Sequence, residues 1–71
     1  MRADIFLAMK YERLVMHMDE VCHEIGIELG TARNKLSAGT FPIPTRKQGK
    51  FVIADVRDVG KYLDDQRELA H

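Results

Sequence analysis

Cysteine occurs once in the 71 residues, at Cys22, so no intramolecular disulfide can form and the chain reads as one for a reducing, cytoplasmic compartment. Long apolar runs are missing. The longest, such as Ile5 to Met9 and Phe51 to Ala54, are a few residues against the ~20 needed to span a bilayer. No basic stretch leading into an apolar one opens the chain, so no signal peptide is expected. Serine occurs only at Ser37, and Gly26, Gly30, Gly39, Gly49 and Gly60 are too scattered for a phosphate-cradling loop. A chain of this length buries only about 60% of its unfolded surface, which leaves little room for an enclosed active site. These absences together point away from an enzyme and away from a membrane protein.

Net charge is zero, which taken as a sum disfavours a polyanion as partner. The distribution reverses that reading. Residues 1–30 carry three basic and six acidic side chains, and residues 51–71 carry three basic and five acidic. Between them Arg33, Lys35, Arg46, Lys47 and Lys50 lie in a twenty-residue window without a single acid. A charge dipole of this kind can orient a protein on a polyanion.

No repeat, low-complexity tract or linker divides the chain, so residues 1–71 are expected to form one unit. Ala3 to Arg13 reads as a short amphipathic helix with Ile5, Phe6, Met9 and, loosely, Leu7 as its apolar face. Leu14 to Met18 reads as an extended connector. From Met18, apolar Met18, Val21, Cys22 and Ile25 fall at i, i+3, i+4 and i+7, one helical face, with His17 and Glu20 at capping-box spacing. Gly26 ends that helix, and another follows from Gly30 or Thr31 to Ala38, with Ala32 and Leu36 inward and Gly39 closing it. The two make a helix-turn-helix over residues 18–38. Pro42 and Pro44 then exclude helix. Thr45 to Lys47 and Lys50 to Ile53, around Gln48-Gly49, read as a two-stranded hairpin within residues 43–53. Asp55 caps a last helix to about Glu68, with Val56, Val59, Tyr62, Leu63 and Leu69 on its apolar face. The expected fold is mainly α with a small two-stranded β-hairpin, a compact winged helix-turn-helix.

Small side chains at Cys22 and Ala32 let two helices cross closely, and Gly26 permits the turn between them. Thr31, Arg33, Asn34 and Lys35 are then left outside. Arg and Lys suit guanine, Asn suits adenine, and Thr can reach a phosphate or a thymine methyl. Arg46, Lys47 and Lys50 surround the hairpin tip, where cationic arms lie along phosphates or enter a minor groove, and Thr45 and Gln48 add neutral hydrogen-bonding groups. Either feature alone is ordinary solvated surface; together they make one continuous cationic footprint. Metal chemistry has little to work with: Asp19 and His23, four apart, could share a helix face, but no second ligand pair has a recognised spacing. No cofactor is expected, and Cys22 reads as a small core residue with an inert thiol. The N-terminal helix is expected to pack inward, with a subunit contact through Phe6, Leu7 or Tyr11, or through Tyr62 and Leu69, as the alternative.

On these residues the chain resembles the compact winged helix-turn-helix regulators of phages and phage-derived elements, the AlpA, excisionase and MerR-type module. The likeness runs from Met18-Asp19-Glu20-Val21-Cys22 through Gly26-Ile27 and Thr31-Ala32-Arg33-Asn34-Lys35 to Leu36-Ser37-Ala38-Gly39-Thr40-Phe41-Pro42. More narrowly it is similar to the pyocin-activator PrtN family, through Phe6-Leu7-Ala8-Met9-Lys10-Tyr11 and the ending Asp55-Val56 to Tyr62-Leu63-Asp64. The resemblance implies a multimeric double-stranded DNA binder with no chemistry of its own. It would recruit RNA polymerase as an activator or, in the excisionase alternative, steer an integrase. It also implies that Thr31, Arg33, Asn34 and Lys35 lie on a recognition helix and Arg46, Lys47 and Lys50 on a wing. An adaptor that binds proteins through the acidic last helix is the reading from another class.

Overall fold

The computed structural model describes residues 2–69 and orders them as α1 (Ala3–Tyr11), β1 (Val15–His17), α2 (Met18–Ile25), α3 (Leu29–Ala38), β2 (Arg46–Gln48), β3 (Phe51–Asp55) and α4 (Val56–Leu69). The fold is mainly helical, with one small antiparallel sheet in the order β1-β3-β2. The sheet has three strands rather than two. The stretch expected to be a connector supplies the third, pairing Val15 with Asp55, Met16 with Ala54 and His17 with Ile53. Its single inward residue, Met16, is fully buried, and β3 gains a partner on the edge that a hairpin alone would leave open.

The hairpin also differs in register. Gln48 pairs with Phe51, so Gly49 and Lys50 form the turn, Gln48 belongs to a strand, and pairing begins only at Arg46. Gly49, at φ +62°, supplies the left-handed residue a two-residue turn requires. The preceding Phe41-Pro42-Ile43-Pro44 is a strap. Ile43 is buried, and Phe41 packs against both apolar clusters of the molecule, joining them.

The first cluster centres on Leu7, Met16, Val21, Ile43, Ala54, Val56 and Val59 and holds α1 and α4 to the sheet. The second, around Met18, Cys22 and Ala32, holds α3 against α2 and Val52. The expected face of α2 is the observed one: Met18, Val21 and Cys22 are buried and Ile25 is half-buried. Gly26 ends α2 at φ +77°, its N–H donating to the Cys22 carbonyl at 2.9 Å. Only three residues then separate α2 from α3. At the other end Glu20 Oε1 accepts a hydrogen bond from His17 N (2.9 Å). Asp55 Oδ1 accepts one from Arg57 N (2.8 Å) at the start of α4, the capping role its position suggests.

The face of α1 differs from the expectation, of whose residues only Leu7 is turned inward. Ala3 and Leu7 are buried and Ala8 and Tyr11 pack beside them, whereas Ile5, Phe6 and Met9 point outward. Residues at i, i+4 and i+8 (Ala3, Leu7, Tyr11) make the inner stripe, which small Ala3 lets approach α4 closely. The helix stops at Tyr11, two residues short of Arg13, because Glu12 turns into the left-handed region at φ 55°. On α4, Leu69 is exposed and does not join Val56, Val59, Tyr62 and Leu63.

The end of α1 is tied to α2 through one carboxylate. Glu24 Oε2 accepts hydrogen bonds from Tyr11 Oη (2.6 Å) and Lys10 Nζ (2.7 Å). Burial would raise the Glu24 carboxyl, but these two donors outweigh it and hold the group below its ordinary value. Burial and the hydrogen bond to Glu24 push the Tyr11 phenol up to about 12. The unfolded chain therefore gives up this proton first, so the contact's contribution is complete below the ordinary phenol value of 10.0 and is lost as pH rises toward about 12. Tyrosinate absorbance followed into strong alkali should show one late-titrating tyrosine that disappears in Tyr11→Phe. A titration with no such component contradicts this contact.

Candidate nucleic-acid interface

Three inward residues orient α3. Ala32 is fully buried against α2, and Leu29 and Leu36 pack around the same cluster. One helical turn apart, they turn Thr31, Arg33, Asn34 and Lys35 into solvent, and all four are exposed. Arg33 follows Ala32 on the flank toward the hairpin. There it lines, with Lys50 and Phe51, an open groove of about 560 Å³ whose apolar floor includes Leu29, Leu36 and Val52. Asp19 contributes the groove's one carboxylate.

The hairpin divides its cations between two faces, because directly paired residues share a side of the sheet. Lys47 lies opposite Val52, which packs into the α2–α3 cluster, so Lys47 is on the α3 side. Arg46 lies opposite Ile53, on the side that also carries Asp55 two residues further along β3. Its charge contributes, behind the hydrogen bonds from Arg57, to holding the Asp55 carboxyl below its ordinary value. The structure thus brings Arg33 and Lys50 to one groove with Lys47 on the same side. Arg46 lies on the opposite side of the hairpin from Lys47, the side that also carries Phe51 and His17, Thr45 is half-buried, and Lys35 is on the other flank of α3.

Electrostatic pairing separates these cations from the rest. Arg2, Lys10, Arg13, Arg57 and Lys61 form ion pairs with Asp4, Glu24, Glu20, Asp55 and Asp65 respectively, and Arg67 is also engaged. Among the described residues, none of Arg33, Lys35, Arg46, Lys47 and Lys50 has an ion pair or a side-chain hydrogen bond. The charges of Arg33, Lys35, Lys47 and Lys50 are available to an outside anion at no loss of internal contacts, whereas Arg46 also acts on Asp55.

Two groove residues were not candidates from the sequence. Phe51 is 57% exposed, and its ring stacks on that of His17 at 5.0 Å between centroids with the planes 1° apart. The only sequence signal was an aromatic residue directly after Lys50. It read as an ordinary strand residue, because the stack depends on β1, which was not expected to be a strand. Buried Cys22 has its thiol pushed up by desolvation, as suits a packing residue. No helix among the described residues is long and apolar enough to cross a membrane. Neither a family model, nor a curated protein, nor a solved structure matches this chain.

Proposed function

We propose that this chain is a sequence-specific double-stranded DNA-binding regulator of the winged helix-turn-helix class, with α2 and α3 as the helix pair and β2–β3 as the wing. The observation that carries the reading is the set of five unpaired cations on α3 and the hairpin, in a chain whose other described cations are all engaged. Internal pairing neutralises a surface that only needs solvation; an unpaired one is suited to releasing counterions from phosphates. In this reading α3 enters the major groove, Arg33 and Asn34 read base edges, and Lys47 and Lys50 contact phosphates alongside. Phe51, exposed beside Lys50, offers an apolar surface to a sugar or a thymine methyl. The protein performs no chemistry itself. It activates phage-derived genes by marking a site and positioning a larger machine there, as an activator does for RNA polymerase.

Lys50→Ala and Lys47→Ala test the phosphate assignment. Each is expected to weaken binding to all duplexes alike and to lower the log–log salt slope by about one, since each phosphate contact contributes roughly 0.9. Fluorescence anisotropy across a salt series reads both numbers. An unchanged slope in both variants removes the hairpin from the interface.

A further inference from the structure

The outward face of α1 carries a stripe the fold does not use. Ile5, Phe6 and Met9 are 49%, 56% and 75% exposed, lie within about a third of the helix circumference, and point away from α4, the chief partner of α1. A face this apolar on so small a molecule marks a contact. Its charges indicate which one. Arg2 lies just before the helix and Glu12 just after it; the Arg2 side chain is held on Asp4 yet stays 72% exposed, so it can take a second carboxylate, and exposed Glu12 has no ion pair among the described residues. They are about 15 Å apart along the axis, and the midpoint between them, at position 7, is also the centre of the apolar stripe.

We infer that α1 is the contact of a symmetric dimer with a second copy of this chain, the two helices running antiparallel about a two-fold axis near position 7. Antiparallel pairing at that register sets Arg2 beside the partner's Glu12 twice over, and Ile5 beside the partner's Met9, so that one surface complements itself. Parallel pairing would instead set Arg2 on Arg2 and Glu12 on Glu12. Zero net charge removes any general repulsion between copies. One helix face is well below the ~800 Å² per partner of a standard stable interface, so the dimer is weak and reversible.

The inference is independent of the DNA reading, and it is tested without DNA. Sedimentation of the full chain at concentrations up to about 1 mM should show a monomer–dimer equilibrium that Met9→Glu weakens at least about ten-fold. Arg2→Glu should weaken it too, and adding Glu12→Arg to the same chain should restore it. Oxidation of an equimolar mixture of Ile5→Cys and Met9→Cys chains should give the mixed disulfide well beyond the two-fold excess over either homodimer that random pairing produces, with buried Cys22 left unreacted. A chain that stays monomeric throughout overturns the proposal and assigns the stripe to a different partner. Preferential Ile5→Cys homodimers overturn the antiparallel register. Because α1 is apart from Arg33, loss of DNA binding in Arg33→Ala would leave this association intact, and loss of dimer in Met9→Glu would leave the cationic surface unchanged.

Discussion

Gly60→Ala destabilises this protein by about 1–3 kcal/mol, and Gly60→Val by more. Helix propensity alone predicts the opposite, since alanine in the middle of a helix is about 1 kcal/mol better than glycine. The close approach of α1 decides the sign. A β-carbon built on Gly60 would lie 2.4 Å from Asp4 N and 2.6 Å from Asp4 Cα, distances no real contact reaches. The obstructing atoms are backbone, so no side-chain rotation relieves them; α1 must back away from α4 as a unit. Moving it would loosen Leu7 in the first cluster and strain the Tyr11–Glu24 link at the other end of the helix. A domain of this size is stable by roughly 4–10 kcal/mol in total, so the change is a large fraction of the whole. Thermal unfolding reads it directly, with Tm expected to fall by about 4–8 °C per kcal/mol. An equal or higher Tm in Gly60→Ala would mean that the α1–α4 crossing has slack.

On the proposed reading, Arg33→Ala is expected to lower affinity for a specific DNA site by about ten- to a hundred-fold, a change on the order of 1–3 kcal/mol, and to relax sequence preference where Arg33 would read a base. Stability is expected to be unchanged, because Arg33 is exposed and makes no internal hydrogen bond or ion pair with the described residues. Lys35→Ala serves as the comparison. Lys35 has the same sign of charge on the same helix but lies on the flank away from the groove that Arg33 and Lys50 share, so its loss is expected to be smaller and uniform across sequences. Competition binding on a selected site and a scrambled duplex separates the two outcomes. Equal, sequence-independent losses would make Arg33 a phosphate contact and leave base reading to Asn34 and Thr31.

The parts of the fold that follow a local period were legible in the sequence. Met18, Val21, Cys22 and Ile25 specify a helical stripe whatever surrounds them, and Gly26 and Gly39 end helices by a property of their own backbone. The exposed polar residues of α3 followed from that framework by elimination. What was not legible depended on partners distant in the chain. Val15–His17 is too short to signal a strand and becomes one only because β3 offers an open edge. The α1 face was misassigned because Ile5, Phe6 and Met9 are the larger apolar residues, while the inner position is set by how closely Ala3 and Gly60 let two helices approach. The two sides of the hairpin could not be separated without its register, and a shift of the turn by one residue changes which cations face α3.

The most direct test of the central claim is a binding titration of the intact chain on duplex fragments at two salt concentrations. Retention of a few fragments over the rest is expected, with log affinity falling against log salt at a slope of about −3 to −4.5, as three to five neutralised phosphates require. No binding at either salt would contradict it and would turn the search toward protein partners.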